Sequence, residues 1–146
     1  MAHTLLNTWR NSEIFQQIIT DSGLKENYRI ALTGLDGSAR HFVEAALADY
    51  YSSKTVIITK DLSEAEKVYA ALNTYLPARV NLLPARDLFV SGEIETRSEE
   101  LQHKRTAFMQ WAFEEGRGIY IAPVAALINR TLPPRSWENL KLAINP

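Results

Sequence analysis

Arg29-Ile30-Ala31-Leu32-Thr33-Gly34-Leu35-Asp36-Gly37-Ser38-Ala39-Arg40-His41 is the stretch that decides the fold. An apolar run enters a glycine turn and a helical pattern follows, which is the layout of a phosphate-binding loop. In a working loop of the form G-x-x-x-x-G-K-[ST], backbone N–H groups cradle the phosphates, the lysine reaches the terminal ones and the hydroxyl holds magnesium. Set against the variant G-x-x-G-x-G-K-T, this chain reads Gly34, Gly37, Ala39, Arg40 and His41. Two glycines survive and the three residues nearest the chemistry do not. The turn is therefore expected to be kept for its shape while the phosphate chemistry has been lost.

Each change has a physical consequence. Ala39 adds a methyl group where glycine would allow unusual dihedrals or close approach to a ligand. Arg40 keeps a positive charge, but its planar fork does not replace a lysine ammonium in a tight pocket. His41 offers an imidazole where a hard magnesium ion takes a hydroxyl oxygen. The vestigial loop comprises Gly34, Gly37, Ser38, Ala39, Arg40 and His41, and no catalytic residue, active cofactor site or metal ligand is expected in it. A weak anion site at the helix N-terminus stays open as an alternative, because free N–H groups and the helix dipole still favour negative charge. A metal-holding aspartate at a strand end would normally accompany such a loop. The nearest candidate, Asp61, is followed by Leu62-Ser63-Glu64 and a helical pattern, so a helix N-cap with Glu64 at the third position explains it more simply.

Composition bounds the rest. A chain of 146 residues, 46% hydrophobic and 23% charged, fits one globular domain with a real core. The lack of cysteine excludes disulfides and thiolate metal sites and accords with a reducing compartment. No stretch approaches the ~20 apolar residues of a membrane span and residues 1–10 lack a signal-peptide core, so a cytoplasmic protein with no membrane contact is expected. With 16 basic against 17 acidic residues, a strong electrostatic footprint for DNA is missing. The densest basic cluster, His103-Lys104-Arg105, lies between Glu99-Glu100 and Glu114-Glu115 and reads as a solvated helical face with i to i+4 pairing.

Along the chain, short apolar runs alternate with amphipathic helices. Ile14, Phe15, Ile18 and Ile19 recur at helical spacing before an Asp21-Ser22-Gly23 stop, giving an N-terminal helical segment (1–27) expected to pack on the domain. The α/β domain is expected over 28–134, with strands at 28–33, 55–59, 80–83 and 119–122, each apolar enough to be buried on both faces. Between them, helical stripes fall at Phe42, Val43, Ala46, Leu47 and Tyr50, then at Ala65, Val68, Tyr69, Leu72 and Leu76, then at Leu101, Phe108, Met109 and Ala112. This is the pattern of a parallel sheet covered by helices. The connection 84–97 is long enough to be functional and could lie over the strand ends, while the tail 137–146 contains too little to make a further domain.

Other chemistry is thin. His3, His41 and His103 are far apart and none has a partner at metal-ligand spacing. Ser38 sits on a strand-to-helix turn but lacks the G-x-S-x-G context of a nucleophile. Trp9, Trp111 and Trp137 read as packing anchors.

The run from Leu32 to Arg40, the later Leu82-Leu83-Pro84-Ala85-Arg86-Asp87 and the segment Pro123-Val124-Ala125-Ala126-Leu127 together resemble the start of the bacterial transcription-repair coupling factors. That family opens with a module similar to the excision-repair protein UvrB, whose first subdomain has the RecA-like, P-loop-NTPase-like fold. The resemblance implies such a fold here with a degenerate nucleotide loop, in which Arg40 and His41 are expected to fill the vacated phosphate pocket. It implies a parent that is an ATP-dependent, helicase-like translocase on duplex DNA, displacing RNA polymerase stalled at lesions and recruiting UvrA for nucleotide excision repair. ATP and magnesium would serve the parent's C-terminal motor, not this fragment, and UvrA would bind mainly through the following subdomain, to which 135–146 would start the connection. The chain is thus expected to be a non-catalytic N-terminal scaffold supporting UvrA recruitment and contacts with the motor domains. Two alternatives stay open: a small P-loop ATPase or kinase with an atypical loop, and an interaction domain unrelated to repair.

Overall fold

The computed structural model describes residues 2–23, 29–51, 53–85, 95–113 and 117–128, with 133 and 136. In chain order the elements are α1 (Ala2–Arg10), α2 (Glu13–Gly23), α3 (Ser38–Tyr51), β1 (Lys54–Thr59), α4 (Leu62–Tyr75), β2 (Val80–Leu82), α5 (Glu95–Phe113), β3 (Gly118–Pro123) and the single turn α6 (Val124–Leu127). The three strands form a parallel sheet in the order β1-β3-β2. Lys54 stands opposite Gly118 and Thr59 opposite Pro123, while Val80 to Leu82 pair with Ile119 to Ile121. A parallel sheet with helices over its faces is an α/β architecture of the RecA-like kind.

Burial explains the arrangement. All six residues of β3 are buried, as the central strand of a covered sheet requires. One sheet face, carrying Ile119 and Ile121, packs with Val80 against Ala65, Val68 and Leu72 of α4 and Ala45, Ala46 and Ala48 of α3. Leu6 of α1 and Phe15 of α2 close this core, and Trp9 and Phe42 meet edge to face beside it. Burying a side chain such as Leu72 or Ile121 stabilises the fold by about 1.5–3 kcal/mol. The other face carries Tyr120 and Ala122, packed with Leu83 and Ala126 and flanked by Phe108 and Trp111 of α5. Pro123 turns the chain out of the sheet into α6.

The expected first strand is not formed. Residue 28 lies outside the described residues, and 29–33 run without strand pairing, with Ile30 and Leu32 exposed. An apolar run becomes a strand only where a neighbour pairs with it; β3 already holds β1 and β2 on its two edges, and no described strand pairs with 29–33. Val56 and Ile58 of β1, in register with Tyr120 and Ala122, are themselves exposed. The connection expected at 84–97 is shorter at its far end, because α5 begins at Glu95; 86–94 lie outside the described residues, as does 137–146. Among the described residues no helix is long and apolar enough to cross a membrane.

Candidate functional site

Gly34 and Gly37 both take positive φ, +78° and +53°, where an L side chain is strained. A Cβ at either position would meet no atom within 4 Å, so dihedral freedom is what these two positions need. Gly37→Ala is therefore expected to destabilise by about 1 kcal/mol through backbone strain alone, measured by urea unfolding with an unchanged m-value. The turn closes with Ala39 N–H donating to Asp36 C=O at 3.2 Å, and α3 starts at Ser38. Ser38 and Ala39 are exposed in the first helical turn, with Arg40 and His41 behind them, half-buried.

Arg40 does not face an empty pocket. Its Nε donates to Glu44 Oε1 at 2.9 Å, one helical turn on, and a terminal nitrogen donates to Glu64 Oε1 at 3.1 Å on α4. The hydrogen bond and charge of Glu44 lead in holding the guanidinium above its ordinary pKa; burial opposes them, and Glu64 adds smaller contributions in the same direction as Glu44. His41 Nδ1 lies 3.1 Å from Glu44 Oε2, so this carboxylate is shared between two side chains of its own helix.

Glu64 reaches this position because of a cap. Asp61 has extended backbone dihedrals, and its Oδ1 accepts from the Glu64 N–H at 2.8 Å, starting α4. The Glu64 side chain turns back so that Oε2 accepts from the Lys60 N–H at 3.3 Å, and Oε1 accepts from Arg40. Asp61 thus serves as the helix cap expected from its sequence context. Between α3 and α4 lies a cleft of about 320 Å³ in which Lys60 and Lys67 join Arg40, facing Asp61 and Glu64. A phosphate entering here would have to take Arg40 from two carboxylates and sit beside a third, and His41 presents no hydroxyl to a magnesium ion. These residues do not fit a magnesium nucleotide.

The loop's partners Glu44 and Glu64 are what the sequence reading missed as site residues. The first carried a signal, its i+4 spacing from Arg40; the second is joined to Arg40 only by the fold. Elsewhere, Lys104 pairs with Glu100 at 2.6 Å and Arg105 donates to Ala126 C=O at 3.3 Å, while His103 is exposed. Among the described residues no group of three His, Asp or Glu side chains is placed to hold a metal ion.

The fold defines a RecA-like α/β domain in which the turn before α3 is followed by an arginine tied to Glu44 and Glu64. The chain is similar to the transcription-repair-coupling factor of Bacillus subtilis (strain 168), 36% identical over an alignment of 138 residues that covers 92% of this chain. The resemblance to the coupling factors thus holds along nearly the whole chain, which spans 11% of that relative's length. No family model matches, and no solved structure matches.

Proposed function

We propose that the chain acts as a non-catalytic scaffold within a transcription-repair coupling factor, in the cytoplasm. The observation that carries this reading is Arg40 held between Glu44 and Glu64 at the start of the helix that follows the glycine turn. A backbone turn that keeps two positive-φ glycines while its charged residue is occupied internally serves architecture, not phosphoryl transfer. In this reading the whole factor hydrolyses ATP with magnesium in other domains, moves along duplex DNA and displaces stalled RNA polymerase. The present domain supports the neighbouring surface that recruits UvrA and makes contacts with the motor. The exposed apolar side chains of Ile30, Leu32, Val56 and Ile58 support such contacts, since most of the matched factor's length lies outside this chain.

Calorimetric titration with ATP and magnesium tests the reading. The natural chain is expected to give no saturable heat at millimolar nucleotide. Ala39→Gly, Arg40→Lys and His41→Thr together, with Glu64→Gln to free the cleft, are expected to bring binding into the measurable range. Saturable, magnesium-dependent binding by the natural chain that weakens on Arg40→Ala would establish the small ATPase or kinase in its place.

A further inference from the structure

At the opposite edge of the sheet from β1, no strand among the described residues pairs with the outer side of β2. Its ladder to β3 uses Arg79 C=O, which accepts from Ile119 N–H at 2.9 Å, and Leu83 N–H, which donates to Ile121 C=O at 2.8 Å. In a parallel ladder alternate residues turn their amide groups to one neighbour. Arg79, Asn81 and Leu83 therefore face β3, and Val80 and Leu82 direct their N–H and C=O groups to the outer edge. Such a row of free donors and acceptors is a template for an added extended backbone.

The edge is the floor of a trough of about 370 Å³. Tyr69 of α4 forms one wall, and His103, Lys104 and Ala107 of α5 form the other. Phe108 and Trp111 seat α5 on Tyr120 of the sheet, with ring centroids 5.0 Å and 4.6 Å away, which fixes the second wall. Lys104 is the charged group of the described lining, His103 adds an imidazole ring, and no described carboxylate lines the trough. Lys104 pairs with Glu100, whose side chain is 71% exposed at the rim; an exposed pair of this kind exchanges partners at little cost.

From the free amides and the one-signed lining we infer that this trough accepts an extended acidic peptide, which adds to the sheet as a strand beside β2. Backbone hydrogen bonds to Val80 and Leu82 supply the register, and Lys104 with His103 selects carboxylate side chains on the face turned to α5. The inference does not depend on the coupling-factor reading, because it rests on the β2 edge and α5 alone.

The test is an amide-resolved NMR titration of the 146-residue chain with a capped pentapeptide of alternating glutamate and valine. Saturable shifts and slowed hydrogen exchange are expected at Val80 and Leu82. Lys104→Glu, a change on an exposed helical position, is expected to weaken binding about tenfold and to favour the matching peptide of lysine and valine. Leu82→Pro, which removes an edge donor, is expected to abolish binding, and Lys104→Glu keeps the test decisive if that variant does not fold. No shift at Val80 and Leu82 at millimolar peptide would overturn the inference. So would equal binding of both peptides by the natural chain, or tighter binding of an oligothymidylate at the same amides.

Discussion

Asp49→Ala is expected to lower the stability of this domain by about 3 kcal/mol, with a fall in Tm of about 10 °C. Asp49 is a buried carboxylate on α3, 7% exposed, and it bridges two arginines distant in sequence. Arg10 at the end of α1 donates to Oδ2, and Arg79, just before β2, donates to Oδ1. The one side chain thereby ties the N-terminal helices and the entry to β2 onto the same point of α3. Removing one partner of a buried ion pair is costly because the remaining charge keeps its desolvation penalty. The two guanidinium side chains keep 25% and 34% exposure, so water recovers part of the loss, which places the estimate at the low end. Asp49→Asn, which keeps the volume, separates charge from packing and is expected to lose most of the same stability. In the Asp49→Ala background, Arg10→Met should change little further. A thermal melt within 2 °C of the natural chain's would show that the bridge contributes nothing.

Asp49 also shows where sequence reasoning stops. The stripe Phe42, Val43, Ala46, Leu47 and Tyr50 marks α3 as amphipathic, yet the buried set includes Ala45, Ala48 and Asp49, while Tyr50 is exposed. Small residues carry a weak hydrophobic signal, and the partners of the carboxylate lie 39 and 30 residues away, so no local pattern announces them. Strands β1, β2 and β3 were legible from their apolar runs, but the expected burial on both faces holds for the central β3 alone, since β1 leaves Val56 and Ile58 exposed and β2 leaves Asn81 exposed. The same pattern at 29–33 failed for an instructive reason: it reports a capacity to be buried on both faces, not the presence of a neighbouring strand. At the loop, the positions needing positive φ could be read from Gly34 and Gly37, and the capping role of Asp61 from its spacing to Glu64. That Glu64 would also hold Arg40 could not, since the contact exists only once α3 and α4 are packed together.

Gly118→Val is the second substitution expected to cost about 3 kcal/mol, and it bears on the position of α5. Gly118 opens β3 at φ +150°, a region that side chains rarely enter. A Cβ built there lies 3.1 Å from Trp111 Nε1, a buried atom with no hydrogen-bond partner among the described residues. Strain at the backbone contributes about 1–2 kcal/mol, and forcing a branched side chain against the indole adds about 1–3 kcal/mol of overpacking. Because Trp111 packs on Phe108 and Tyr120, displacing it loosens the seat of α5 on the sheet. The tryptophan emission is therefore expected to shift to the red as stability falls, and the acidic peptide should lose affinity, since α5 is one wall of its trough. The two contributions separate in a second pair of variants. Gly118→Ala with Trp111→Leu removes the clash and leaves the dihedral strain, so against Trp111→Leu alone it should lose only about 1 kcal/mol. If Gly118→Val is instead as stable as the natural chain and its emission is unshifted, the contact with Trp111 does not fix α5, and the trough wall must be held by something other than this ring cluster.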